Sequence, residues 1–385
     1  MCPPLIAKQQ GVESRKWKSV ASSKKSHGHQ TGLADCQLSQ KAFVAILQLI
    51  HAFKTETGEL SGIVFHTIKE SAIIIAGAKV LLVLYFESSI GNVRDFITGS
   101  RINSGDPTFD EMEHTKFNQS VRKMMRLLFA VFITDAVLLC TPCAATEKLF
   151  TLPPPLSAAG PIISPILHIC SAQLLFLGAV PKFFSNMACI GALIIGMHTK
   201  LKILAHRWNR ILNHPIEPPR CYFERMDREM RIVLDQQTEY WRQLQTLKTL
   251  VENSFFIVHV YSLYSIGSCI FVARELGMNV LTGVIYATSL AYLTKHYLWC
   301  HLVDSYKDVA DAIGYEISSH CTQMPYSRQY HLQYVQMKTS LIIVWYNTIN
   351  GVAMKSMGMI VISKATFGDL LKIIYTVLTF FINMT

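Results

Sequence analysis

The sequence predicts an all-α membrane protein of seven transmembrane helices, N-terminus cytoplasmic and C-terminus extracellular, with a helical cytoplasmic anchor region. Three observations predict it. Of 385 residues, 50% are hydrophobic and 16% charged, with a mean hydropathy of +0.28, whereas a soluble domain carries roughly a quarter charged residues. Six stretches, at about 63–86, 124–147, 164–197, 252–273, 279–303 and 353–384, reach the length of about 20 apolar residues that a spanning helix needs. Basic residues crowd alternate links between them, which fixes orientation by the positive-inside rule. The composition excludes intrinsic disorder and argues against a soluble enzyme. Ten cysteines are too sparse for a disulfide-stapled secreted fold. A net charge of +10 alongside so much apolar sequence points to a membrane before it points to nucleic acid.

Taken in order, residues 1–40 are polar and basic (Arg15, Lys16, Lys18, Lys24, Lys25) and hold no apolar core of a signal peptide. They are expected to form a poorly ordered cytoplasmic terminus, and residues 41–385 the transmembrane domain. A short apolar run at 42–53 is the weakest span. Eight Lys and Arg precede the second span, six lie in 87–126 and ten in 197–252. By contrast, 148–163 holds only Lys148 and 274–278 only Arg274. The first three regions are therefore cytoplasmic and the last two extracellular. The outer link between the third and fourth spans carries Pro153, Pro154, Pro155, Pro161 and Pro165 and reads as a stiff non-helical loop.

On the cytoplasmic side, 222–251 is amphipathic. Met226, Met230, Val233, Tyr240, Leu244, Leu247 and Val251 recur at helical spacing. The stripe has two readings, packing within the chain against 301–350 or a surface for subunit assembly. The anchor region is expected at about 198–251 and 301–350, with 341–346 a buried, non-spanning helix, and the last helix at about 353–384.

No catalytic chemistry is legible. Cys140-Thr-Pro-Cys143 has the spacing of a thiol redox motif but lies inside a span, where small-residue packing and a proline kink account for it. His27/His29, His296/Cys300/His301 and His320/Cys321 lack a repeated ligand pair at a metal-site spacing, so no metal or cofactor is expected. Asp135, Lys79, Lys182, Lys295, Asp369 and Lys372 fall inside spans, where charge is expensive and faces protein or water. Snorkelling suits Lys182 and Lys295, and Asp369 and Lys372 are spaced to pair.

The second half of the chain resembles the insect odorant receptor family. Within Tyr297–Cys321, Cys300, Ala312 and Tyr315 fit the family's sixth helix, with Asp304 where glycine is usual and Cys321 where tryptophan is. Ser363-Lys-Ala-Thr-Phe367 resembles the family's entry to its last helix, and Ile373-Ile-Tyr375-Thr376 the region that follows. Gln173 and Asn186 also fit. The order of spans, the long helix before the fifth and the inverted topology agree over about 60–385, while the first forty residues do not resemble the family. The resemblance implies a ligand-selective subunit of an odour-gated, non-selective cation channel in the plasma membrane of a sensory neuron dendrite. It implies assembly with a shared co-receptor into a hetero-tetramer, and a small volatile odorant as ligand. Nucleic acid and enzymatic activity have no place in it.

The resemblance also implies a pocket in the outer halves of helices two, three, four and six. The facing residues there are Phe65, Ile68, Val137, Cys140, Thr141, Leu174, Leu177, Ile285, Tyr286 and Ser289, a mostly apolar set of the kind small-ligand sites use. The last helix would line the pore. On it Thr376, Phe380 and Asn383 share a face at i, i+4 and i+7, flanked by Met384. Phe380 suits a hydrophobic constriction, and Thr376 and Asn383 suit a polar lining. A gustatory-type receptor of the same superfamily is the alternative, and its usual ending differs from Tyr375-Thr-Val-Leu-Thr-Phe-Phe381 here. A secondary transporter would show internal repeats and matched broken helices, which the sequence lacks.

Overall fold

A computed structural model describes residues 60–140, 180–213, 218–275, 277 and 280–384. The short run at 42–53 and the proline-rich link lie outside the described residues. Among the described residues eight α-helices run in the order α1 Leu60–Tyr85, α2 Glu87–Thr98, α3 Pro107–Cys140, α4 Val180–Leu212, α5 Pro219–Glu275, α6 Val280–Gln323, α7 His331–Gly351 and α8 Lys364–Met384. A small hairpin, β1 Lys355–Ser356 and β2 Ile360–Val361, joins the last two. Among the described residues, two helices are long and apolar enough to cross a membrane, Asn186–Leu212 and Arg220–Glu275. A third candidate is the pair Ile74–Tyr85 and Glu87–Thr98, bent by 63°.

Local chemistry sets several boundaries. Asp106 opens α3, its Oδ1 accepting from the Thr108 and Phe109 amides at 3.1 and 3.4 Å, while Pro107 takes the first helical position, where its missing N–H costs nothing. Basic side chains of α4 hold the link before α3. Lys200 Nζ donates to the Gly99 carbonyl at 2.8 Å, and Arg207 Nη1 to Asn103 Oδ1 at 2.7 Å. At 57 residues, α5 is about 85 Å long, nearly three bilayer thicknesses. Its polar N-terminal half therefore projects well beyond any membrane that its apolar half crosses.

The main core lies along that projecting half. Every residue of the stripe Met226, Met230, Val233, Tyr240, Leu244, Leu247, Val251 is buried, against Trp208, Trp299, Tyr306, Ile313 and Leu341. The stripe thus packs within the chain and is not itself an assembly surface. Burying each such side chain contributes about 1.5–3 kcal/mol. Several polar groups inside this core are paired, although the Tyr240 hydroxyl and Trp299 Nε1 have no hydrogen-bond partner. Trp208 Nε1 donates to Gln237 Oε1 at 3.2 Å, Gln237 Nε2 to Thr348 Oγ1 at 3.1 Å, and the Tyr306 hydroxyl to the Ile194 carbonyl at 2.6 Å. Gly314 lets α7 approach α6 closely, because a Cβ there would sit 2.9 Å from Ile349.

Two expectations change. The 341–346 run is helical but only half buried. Leu341 and Val344 face the core, whereas Ile342, Ile343 and Tyr346 are 47%, 56% and 62% exposed. A lone helix on a core has one inward stripe, and six consecutive apolar residues necessarily wrap past it. The last segment begins as a hairpin and turns helical only at Lys364. Burial alternates from Val352 through Ser356, as in a half-buried strand. The reversal runs through Met357 at φ 49° and Gly358 at φ 73°, conformations that end a helix. The Lys248 ammonium donates to the Gly351 carbonyl and so satisfies the end of α7.

Candidate ligand site and pore face

Where α1, α5, α6 and α8 converge, a small apolar cluster forms from Ile68, Cys269, Phe271, Val272, Ala273 and Ile285, with Val64 and Leu378 against it. Two of the expected ligand residues, Ile68 and Ile285, meet here. Ser289 joins them one turn along α6, its hydroxyl donating to the Ile285 carbonyl at 2.9 Å and lying within reach of the Cys269 thiol. That back-bond leaves the hydroxyl oxygen able to accept, so the cluster is apolar with one polar handle. Just below, the hydroxyls of Tyr261 and Tyr292 lie 3.3 Å apart, their rings edge to face.

Two other expected ligand residues stand at the surface. Val137 is 61% exposed on α3 and Tyr286 44% exposed on α6. Phe65 and Cys140 are carried by α1 and α3. Thr141, Leu174 and Leu177 lie outside the described residues. The α5 contribution, Tyr261 and Cys269, went unread in the sequence because the resemblance draws the pocket from four other helices. The signal was present: Tyr261, Ser265 and Cys269 recur at i, i+4 and i+8 on one face.

The expected pore residues share one exposed face of α8. Thr376 and Asn383 are exposed and Phe380 is 59% exposed, and Asp369 and Lys372 continue the face toward the helix start. Met384 ends the helix. Lys372 Nζ bonds Asp369 Oδ1 at 3.0 Å, the pairing that their spacing suggested. The opposite face is buried through Leu370 and Ile374 against Ile266 of α5. An ion pair between Lys364 and Asp304, at 3.5 Å, ties the start of α8 to α6, so the aspartate that departs from the family's usual glycine has a partner within the chain.

One group of side chains departs from expectation. Lys295 does not snorkel. It is 3% exposed and turns inward, within hydrogen-bonding reach of Lys79 of α1, itself 2% exposed. A residue's place along a helix says nothing of which neighbour it faces, and snorkelling was inferred from place alone. Beside them, His259 Nδ1 of α5 lies 3.4 Å from His296 Nε2 of α6, and Asn186 of α4 donates to the Lys79 carbonyl at 3.4 Å.

No family model matches the chain, and no curated protein is significantly similar to it in sequence. Solved structures are similar in fold. The structure of the insect olfactory receptor OR5 from Machilis hrabei superimposes with a TM-score of 0.70 at 11% identity, over 91% of this chain and 87% of that one. The structure of the same receptor in complex with eugenol gives 0.71 at 9% identity, over 92% and 88%. The chain therefore has the fold of these insect olfactory receptor structures, a predominantly helical architecture.

Proposed function

We propose that this chain is a ligand-selective odorant receptor subunit, which binds small apolar volatiles and, with a co-receptor, opens a non-selective cation channel. The single observation that carries the reading is the fold match, over about nine-tenths of the chain, to an olfactory receptor whose structure is also known with the volatile eugenol bound. The chain's own features support it. One side of α8 is buried and the other bears exposed hydroxyl, amide and phenyl groups, as suits a helix lining a shared axis. The cluster around Ile68, Ile285 and Ser289 has the apolar-with-one-polar-group character of a small-ligand site.

On this reading the chain crosses the plasma membrane seven times, N-terminus inside and C-terminus outside. The projecting part of α5, with α6 and α7, forms the anchor between subunits. α8 lines a pore whose other walls belong mostly to the co-receptor. The reading is tested by recording current across an odour panel in cells expressing the chain with and without the co-receptor. Odour-evoked cation current only in co-expressing cells is expected. Equal responses without the co-receptor would favour a gustatory-type channel, and no current with any volatile, despite surface expression, would overturn the proposal.

A further inference from the structure

The buried polar layer between α1, α4, α5 and α6 belongs neither to the apolar cluster nor to the pore face. Four groups from four helices converge in it: Lys79, Asn186, His259 and Lys295, with His296 beside Lys295, and each is at least nine-tenths buried. The Lys79 and Lys295 side chains reach one another. Two ammonium groups at that separation repel, and an anion set between them replaces one repulsion by two attractions. The histidines add a directed donor. If His259 Nδ1–H donates to His296 Nε2, the neutral His296 ring carries its proton on Nδ1. That buried nitrogen has no hydrogen-bond partner. A lysine ammonium offers three donors and no acceptor, so the layer is rich in donors.

We propose that this layer binds one small monovalent anion, a halide or the carboxylate of a short-chain acid, held between Lys79 and Lys295 and closed on a third side by His296. The site lies one ring away from the pore helix. His296 stacks at 6.3 Å on Phe367, in the first turn of α8, and lies tilted at 5.1 Å against Phe255. Occupancy would therefore fix the His296 ring and, through it, the seating of α8.

The test uses the full chain purified in detergent, with thermal unfolding followed while sodium gluconate is replaced stepwise by sodium bromide or by sodium acetate at constant ionic strength. A saturating rise in Tm with bromide, acetate or both is expected. Bromide alone identifies a halide site and acetate alone a carboxylate site. The rise should be lost in Lys79→Met and Lys295→Met, which keep the unbranched apolar stem and remove the ammonium group. His296→Phe, which keeps the stacked ring, should lower the apparent anion affinity at least threefold. The proposal is overturned if wild type shows no saturating rise with either salt, a criterion that needs no variant to fold. It is also overturned if the rise persists unchanged in the folded variants. No odorant and no current enter the titration, so its failure leaves the receptor reading standing, and a failed odour response leaves the anion site standing.

Discussion

At the scale of single residues, His320 shows what burial does to a titrating group outside the membrane. Its Nε2 lies 2.8 Å from the Tyr222 hydroxyl. Burial holds its pKa below the ordinary 6.5, Arg225 pushing the same way and a bond to the Leu212 backbone opposing both. A histidine with a lowered folded pKa stabilises the fold fully above its unfolded value. That contribution is lost as pH falls through the folded value. The Tm of the purified chain is therefore expected to drop, as pH falls below about 6.5, more steeply than that of His320→Gln; parallel curves would show that His320 does not carry the dependence. In the apolar cluster, Ser289 is 4% exposed beside Ile285, so Ser289→Phe enlarges one wall by a ring. It should shift the agonist concentration dependence and leave the unitary current unchanged. A changed conductance with unchanged agonist sensitivity would contradict a ligand role for this residue. Residue roles were the least legible part of the sequence. Spacing told that Ile285 and Ser289 share a face, but only the fold brings Ile68 to them across more than two hundred positions, and Cys269 from the neighbouring helix.

At the scale of elements, helices and their inward stripes were legible because a period of 3.6 survives in any helix that packs on one side. The 222–251 stripe is buried throughout, and the long helix does run straight into the apolar segment that follows. The hairpin was not legible. Strands of two residues carry no period, and the run before Lys364 is apolar enough to pass for helix. What the chain leaves uncovered is the outer face of α7, where Leu332, Val335, Ile342, Ile343 and Tyr346 are exposed. With the α5 stripe spent inside the chain, this face is, on the proposed reading, an apolar surface among the described residues that a second subunit would cover. Ile343→Glu should cost the isolated chain less than about 0.5 kcal/mol, as surface changes do. In an assembly it would bury an unpaired charge, a loss of about 3–5 kcal/mol. Co-purification with the co-receptor is therefore expected to fall while the Tm of the chain alone holds. Undiminished co-purification would place the subunit contact elsewhere.

At the scale of the whole molecule, composition and basic-residue asymmetry were enough to predict a helical membrane protein, because both follow from solvent physics and not from detail. Orientation is the next claim they make. Epitope tags at both ends, stained in intact and in permeabilised cells, should reveal the N-terminal tag only after permeabilisation and the C-terminal tag in both. N-terminal staining of intact cells would reverse the topology.

The claim on which the rest depends is that this chain conducts ions along the exposed face of α8, which bears Thr376, Phe380 and Asn383. Ion permeation through the co-expressed complex measures it most directly. Phe380→Ala, which removes the ring suited to a constriction, should raise basal cation leak. Asn383→Asp, which adds a charge to the polar lining, should shift divalent permeability or block. Odorant sensitivity should barely move in either. Wild-type leak, reversal potential and block in both variants, in complexes that reach the cell surface, would mean that this face does not line a pore.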